Sequence, residues 1–480
     1  MRNLVWLRRD LRTRDNPALF TAMQQGATQA IYFITPEQWD SHDCSPAQRS
    51  LIKGQLLKLS QQLTELNVPL QIIHCPYFAD IPAYLERYVN EQGIQQLLFN
   101  HQYEWNEMHC TRQVVKMARS NGIAVNGLHD QCIITPGQLT NGQGGCYKVY
   151  SAFKRAFMAN FLTLSRETYS LPKPQKKIGL TSDIDALHQF DVEWSWQLLW
   201  PAGEDEALDR LDHFLEQTVN QYKDNRDIPS VVGTSGLSPY LAIGAISTAQ
   251  CLHAALRFNR GELDSGNQGA SSWINELIWR EFYRHLIVAY PDLCRHKPFK
   301  PDTDNLPWRH DKKLFAAWCE GRTGFPIVDA AMRQLVSTSW MHNRLRMITA
   351  MFLTKHLFID WRWGERFFMQ HLVDGDLASN NGGWQWSAST GVDAVPYFRI
   401  FNPTRQSRRF DPDGDFIRKF VPELSHLDSK SIHQPTVAQA ISADYPLPIV
   451  DHVNAVAQTK ASFKRLNEQS EAFPEFHYEH

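Results

Sequence analysis

Long apolar runs are missing from this chain of 480 residues, which nowhere approaches the 18 consecutive apolar residues expected of a membrane-spanning helix. Residues 1–15 alternate short apolar stretches with arginines and show no signal-peptide core, so the expectation is a soluble, cytoplasmic protein with no membrane partner. Cysteine is sparse: the eight copies include no Cys-x-x-Cys pair, which excludes a dense disulfide framework and points to free thiols in a reducing compartment. A surplus of either charge is absent too, since 49 Lys and Arg face 51 Asp and Glu for a formal net charge of −2. That excludes a tail-driven or histone-like nucleic-acid binder while leaving room for a local basic face. What the chain does have is tryptophan, 15 copies, most of them in the second half.

Length predicts two to four domains. Up to about residue 130, short apolar runs at 4–7, 30–34, 70–74, 96–100 and 124–128 alternate with amphipathic stretches such as 46–66 and 106–120. This is the pattern of β-α-β units, and it predicts an α/β doubly wound parallel-sheet domain over residues 1–130. The first strand is followed by Arg8-Arg9-Asp10-Leu11-Arg12-Thr13-Arg14-Asp15-Asn16-Pro17, which lacks the G-x-G-x-x-G turn of dinucleotide-binding sheets, so any nucleotide cofactor is expected elsewhere. Residues 131–204, with Pro172, Pro174 and little periodicity from about Glu167 to Trp200, read as an interdomain linker region. Residues 205–480 lose the strand-like runs and predict a large all-α domain. Its stretch 331–420 carries twelve Lys/Arg against eight Asp/Glu, whereas everything from 421 onward carries four against eight.

Four segments of the helical half combine polar and aromatic residues beyond the needs of packing. Tyr222 and the run Thr234-Ser235-Gly236-Leu237-Ser238 offer glycine and hydroxyls able to hold a pyrophosphate, or simply a turn that caps the helix at Pro239. Trp273, Glu276 and Arg280 share one broad helical face, with Trp279 on the same helix, an arrangement equally open to a surface ion pair beside core tryptophans. Asn343 and Met347 share another face, flanked by Arg344 and Arg346. Asp374, Asp376, Asn380, Trp384 and Trp386 crowd into 13 residues whose composition predicts neither a well-packed helix nor a solvated loop. No EF-hand spacing follows the two aspartates, and no metal is expected.

At these segments, and from LVWLRRDLRTRDNPAL through TGFPIVDAAMRQL and DGDLASNNGGWQWSASTG to YFRIFNPTRQSRRF, the sequence resembles the photolyase/cryptochrome family. Within it, the bacterial class I cyclobutane pyrimidine dimer photolyases are the nearest match. The resemblance implies light-driven DNA repair: excited, reduced FAD passes an electron to a flipped-out pyrimidine dimer in double- or single-stranded DNA. It implies FAD held by Tyr222, Thr234, Ser235, Gly236, Leu237, Ser238, Trp273, Glu276, Arg280, Arg346, Asp374, Asp376 and Asn380, with an anionic reduced flavin as the working form. Gly236 stands where the family loop usually has arginine, so one cationic contact to phosphate is expected to be lost.

By the same resemblance Trp279 and Trp386 wall the lesion pocket, while Glu276, Asn343 and Met347 contact the dimer. Trp384, Trp361 and Trp308 resemble an electron chain to the surface, and Arg226, Arg344 and Arg399 are expected at DNA phosphates. His42, Asn106, Glu107 and Cys294 match positions that bind a methenyltetrahydrofolate antenna, with Arg295 replacing the family's lysine. A monomer is expected. The alternatives are a cryptochrome photoreceptor, against which the short C-terminal end argues, and a (6-4) photolyase, against which Met347 and the missing histidine pair argue.

Overall fold

The computed structural model describes residues 1–166 and 168–472. Glu167, within the expected linker region, and the last part of the acidic end, residues 473–480, lie outside the described residues. The chain divides into two compact units, one made of Met1–Lys223, Thr234–Cys294 and Leu372–Ala378, the other of Asp224–Gly233, Arg295–His371 and Ser379–His480.

In the first unit, β1 (Arg2–Trp6), β2 (Ala27–Ile34), β3 (Leu70–His74), β4 (Gln96–Asn100) and β5 (Ala124–Leu128) form one parallel sheet in the order β3-β2-β1-β4-β5. All five apolar runs read as strands are strands. β1 and β2 begin earlier than the hydrophobic pattern suggests because Arg2 pairs with Ala27 at their open ends, where pairing needs only backbone. Seven of the eight β2 residues are buried, as expected of a strand covered on both faces. Two of the helices between strands start at capped prolines: Asn16 accepts from Leu19 N ahead of α1 (Pro17–Gln25), and Ser45 accepts from Gln48 N ahead of α2 (Pro46–Glu65). α3 (Ile81–Gln92) and α4 (Trp105–Ser120) complete the crossovers. Within 131–204 lie α5 (Tyr150–Leu164) and a strand-like stretch at Asp183, which bonds Leu70 and Ile72 (2.9 and 2.8 Å) and so covers the open edge of β3.

The arginine-rich turn after β1 is locked inward. Arg12 bonds Asp130 (2.5 Å), Arg166 bonds both Asp15 (2.7 Å) and Asp130 (3.0 Å), and Glu204 accepts from the backbone of Thr13 and Arg14. Arg12, Asp15, Asp130 and Glu204 are all buried. The turn therefore closes the sheet domain with paired charges instead of cradling a phosphate. The unit continues into α6 (Gln268–Ala289), capped by Asn267, whose side chain accepts from Ala270 N (2.9 Å).

The second unit is helical, with one isolated β-bridge, Arg309 to Ile359, among the described residues. It contains α7 (Asn343–Met351), α8 (Trp361–His371) and α10 (His452–Ala472), and from Ser379 onward α9 (Leu377–Ala388). That last helix corrects the expectation for residues 374–386, which their composition made a poor helix. Its amides satisfy one another inside the fold: Asn381 donates to Glu365 Oε1 (2.8 Å), and Gln385 donates to Asn381 Oδ1 (2.9 Å) and to the Lys297 carbonyl (3.1 Å). Tertiary hydrogen bonds here override weak intrinsic propensity. No helix among the described residues is long and apolar enough to cross a membrane.

Candidate functional site

Periodicity places Trp273, Glu276, Trp279 and Arg280 on α6, and the tertiary contacts separate their roles. Trp273 points inward and is buried, its ring 4.8 Å from Phe214, which in turn meets the buried Tyr222 ring edge-on at 5.6 Å. Phe214 thus brings two expected residues together, and no local signal marks it. Glu276 and Trp279 stay half-buried. Arg280 donates to the Gln131 carbonyl (3.0 Å), Thr248 Oγ1 (2.8 Å) and the Leu241 carbonyl (3.3 Å). These acceptors are neutral, so burial and the nearby Arg284 charge lower the Arg280 pKa from its ordinary value.

One turn after Arg280, Arg284 pairs with Asp376 and bonds Gln131 Oε1 (2.8 Å), with Glu104 at 3.7 Å. Its i+4 spacing from Arg280 was the signal that could have found it. The segment bearing Asp374 and Asp376, both buried, is held from α2. Ser45 Oγ donates to the Leu372 carbonyl (2.7 Å), and Gln48 Nε2 donates to Val373 (3.2 Å) and Gly375 (2.8 Å).

The Thr234–Ser238 loop turns at Gly236, whose φ of +62° lies in the left-handed region that disfavours a side chain. A Cβ built there comes 3.6 Å from Arg210 Nη1, so a guanidinium lies beside the loop even though the loop itself has none. Arg210 is ion-paired with Glu206 (2.7 Å) and lies over the Tyr240 ring.

Near Arg280, Glu281 and His285 tie α6 to the chain after β5. Glu281 accepts from Ile133 N (2.9 Å) and His285 Nε2 lies 3.0 Å from the Ile134 carbonyl. Their ligand atoms and Cys132 Sγ lie within 4.8 Å of one another. Both side chains are already engaged with backbone, and burial pushes the Glu281 carboxyl up to about 7 and the Cys132 thiol well above its usual value. With the carboxylate and the imidazole both spent on backbone groups, the cluster reads as a clamp.

The four expected antenna residues come together at the C-terminal ends of the strands. His42 Nε2 lies 2.8 Å from Asn106 Nδ2 and His42 Nδ1 lies 3.6 Å from Glu107 Oε1. Burial, and then the charge of Glu104, raise the Glu107 carboxyl to about 7. The Cys294 thiol, pushed up to about 12 chiefly by burial, feels the charges of Glu104 and Glu107. His42 and Glu107 border a pocket of about 60 Å³ shared with Trp6, Arg9, Tyr32 and Trp39.

In the second unit, Arg344 engages Asp227 through Nε (3.2 Å) and Nη2 (2.8 Å), lies over the Phe410 ring and places Nη1 3.7 Å from Met347 Sδ. Arg226, the chain neighbour of Asp227, is half-buried. His342 caps α7 by accepting from Arg344 N (3.2 Å), and burial lowers its pKa to about 4, so it is a neutral acceptor there. Asn343 is exposed, Met347 is half-buried one turn later, and Arg346 Nε donates to the Met341 carbonyl (2.8 Å). Asn380 Nδ2 donates to the Glu365 carbonyl (3.0 Å), Trp386 is half-buried and Arg399 is exposed.

Trp384, Trp361 and Trp308 are all buried. The Trp384 ring touches Phe368 (4.9 Å) and Trp318 (6.0 Å), and packs so closely on α8 that a Cβ on Gly364 would come within 2.1 Å of it. The Trp308 ring meets Phe358 at 4.9 Å. The indole nitrogens of Trp308 and Trp384 are buried without an acceptor.

Residues 3–175 match the DNA photolyase family and residues 273–465 match the FAD binding domain of DNA photolyase. The deoxyribodipyrimidine photo-lyase of Escherichia coli is 43% identical over 467 residues, covering 96% of this chain and 98% of that protein. A bacterial class III photolyase from Agrobacterium tumefaciens superimposes with a TM-score of 0.85 at 35% identity, covering 97% of this chain and 98% of its own. An archaeal photolyase from Sulfolobus tokodaii, whose structure holds two FAD molecules, gives 0.81 at 29% identity, covering 97% and 100%. The chain belongs to the photolyase/cryptochrome family and carries its FAD-binding domain.

Proposed function

We propose that this chain is a deoxyribodipyrimidine photo-lyase that uses light to split cyclobutane pyrimidine dimers in DNA. The observation that carries this reading is the layout of α6, where Trp273 is buried beside Phe214 and Tyr222 while Glu276 and Trp279 stay half-buried. One helix thus carries a buried aromatic contact and, one and two turns further on, an acid and an indole that stay partly accessible. When bound, FAD supplies a light-driven one-electron donor that is regenerated at the end of each cycle.

The residues fit that group. In the first unit, Tyr222, Thr234 to Ser238, Trp273, Glu276, Arg280, Asp374 and Asp376 are the proposed contacts, and in the second, Arg346 and Asn380. Arg280, bonded to neutral oxygens, supports an anionic flavin. Arg284 fixes the Asp376 carboxylate, and Arg210 stands in for the cation missing at Gly236. Glu276 hydrogen-bonds the pyrimidine edges, Asn343 and Met347 contact the dimer, and Trp279 and Trp386 offer planar faces that stack without selecting a base. Arg226, Arg344 and Arg399 hold phosphates, and Trp384, Trp361 and Trp308 relay electrons for photoreduction.

His42, Asn106, Glu107 and Cys294 hold a methenyltetrahydrofolate antenna. The protein works as a cytoplasmic monomer.

Purified protein is expected to show flavin bands, with a near-ultraviolet band that mild bleaching removes if the antenna is folate. Blue light is expected to repair an oligonucleotide bearing a defined cyclobutane dimer. Glu276→Ala is expected to lower repair on the order of 100-fold while DNA binding is retained. Flavin-loaded protein that leaves the dimer intact overturns the reading.

A further inference from the structure

The half-buried Trp279 is not a free-standing ring. Tyr150, the first residue of α5, lies flat against it with ring centroids 3.5 Å apart and planes 6° from parallel. Phe282 closes on the indole from the side at 5.8 Å and 77°, and on the Tyr150 ring at 5.8 Å and 72°. Tyr283 completes the surround at 5.8 Å. The Tyr150 hydroxyl donates to Asn275 Oδ1 (2.7 Å) and lies 3.0 Å from the Asn275 carbonyl. Asn275 precedes Trp279 by one helical turn, so its carbonyl is the acceptor of the Trp279 amide. Tyr150 therefore grips α6 at both ends of one turn, through the ring at Trp279 and through the hydroxyl at Asn275.

We propose that Tyr150 is a positioning residue for the lesion site, holding the Trp279 indole in one plane so that a flipped pyrimidine stacks on a surface already in place. This rests on the reading of Trp279 as a wall of that site. With one face of the indole covered by Tyr150, a base has the opposite face to stack on, and the two aromatic layers move as one. An unbraced tryptophan must lose rotamer freedom when a base arrives, and that ordering cost is subtracted from affinity. Tyr150 removes it beforehand. The brace acts on extruded bases only, so it raises affinity for dimer-containing DNA and leaves contacts to the phosphate backbone untouched.

The test uses the flavin-loaded enzyme and measures Kd for one duplex with and without a cyclobutane dimer. Tyr150→Ala and the bulkier, non-aromatic Tyr150→Leu are expected to weaken dimer binding about 2- to 10-fold, the ordering of one large side chain, with binding of undamaged duplex unchanged. Tyr150→Phe keeps the stack and is expected to restore most of the affinity. The loss is read in Kd more than in repair yield at saturating DNA. Trp279→Ala is measured alongside. If Trp279→Ala weakens dimer binding and Tyr150→Leu does not, the brace is refuted while the wall stands; if Trp279→Ala binds the dimer normally, both fall. Equal weakening on both duplexes, or no rescue by Tyr150→Phe, refutes positioning in favour of a purely structural role.

Discussion

Two arginine-rich stretches of this molecule look alike as sequence and behave oppositely as structure. In the turn after β1, Arg12 meets Asp130 and Arg14 meets Asp205, and the associated Arg166 meets Asp15 and Asp130. In the stretch 395–410 of the second unit, Arg399, Arg405, Arg408 and Arg409 are exposed. The first set joins segments of chain far apart in sequence, and the second is available to an outside anion. Net charge cannot tell them apart, because a paired arginine and a solvated one count the same.

The comparison is broken most sharply at its buried end. Arg12→Ala leaves Asp130 with Arg166 alone in a buried setting and is expected to cost about 3–5 kcal/mol of stability, read from denaturant unfolding. DNA affinity of the folded protein should not change; if it falls, the turn is not purely internal.

Glu281 sharpens the same contrast through pH. Its folded pKa of about 7 lies above the ordinary carboxylate value of 4.5, so the folded protein holds a proton that the unfolded chain has released across that window. Stability from this group is fully present below about pH 4.5 and is lost as pH rises through 7, on the order of 3 kcal/mol in all. Glu281→Gln should flatten that part of the stability-versus-pH curve, and an unchanged slope would assign it to another group. Glu107, raised to about 7 in the same unit, adds a slope of the same sign that Glu281→Gln leaves in place.

The smallest effects belong to the outward set. Arg399→Ala should reduce the slope of log affinity against log salt by about 1, equally for damaged and undamaged duplex. Arg344 lies between the two behaviours, since Asp227 already engages it. Asp227→Asn should therefore tighten DNA binding at low salt, and a weaker binding would mean that Asp227 orients Arg344 for phosphate instead of competing with it.

Local pattern carried the reading far where one face of an element decides its fate. The five strands stood out because a doubly covered sheet demands unbroken apolar runs, and α2 announced itself by the amphipathic stretch 46–66. Pattern failed at Leu377–Ala388, whose helix depends on Glu365 and Lys297 to satisfy its amides. It also missed Arg210 and Tyr150, which sit 26 and 129 residues from the groups they serve, Gly236 and Trp279.

The sequence by itself determined the family, the sheet and its helices, and the residue types gathered around the proposed flavin and lesion sites, because these are written in periodicity and contiguous motifs. Only the tertiary structure decided which arginines are already paired, that a guanidinium lies beside Gly236, and that Trp279 is stacked before any base arrives. Those outcomes depend on contacts between segments distant in the chain, and charge pairing and ring stacking act through distance in space.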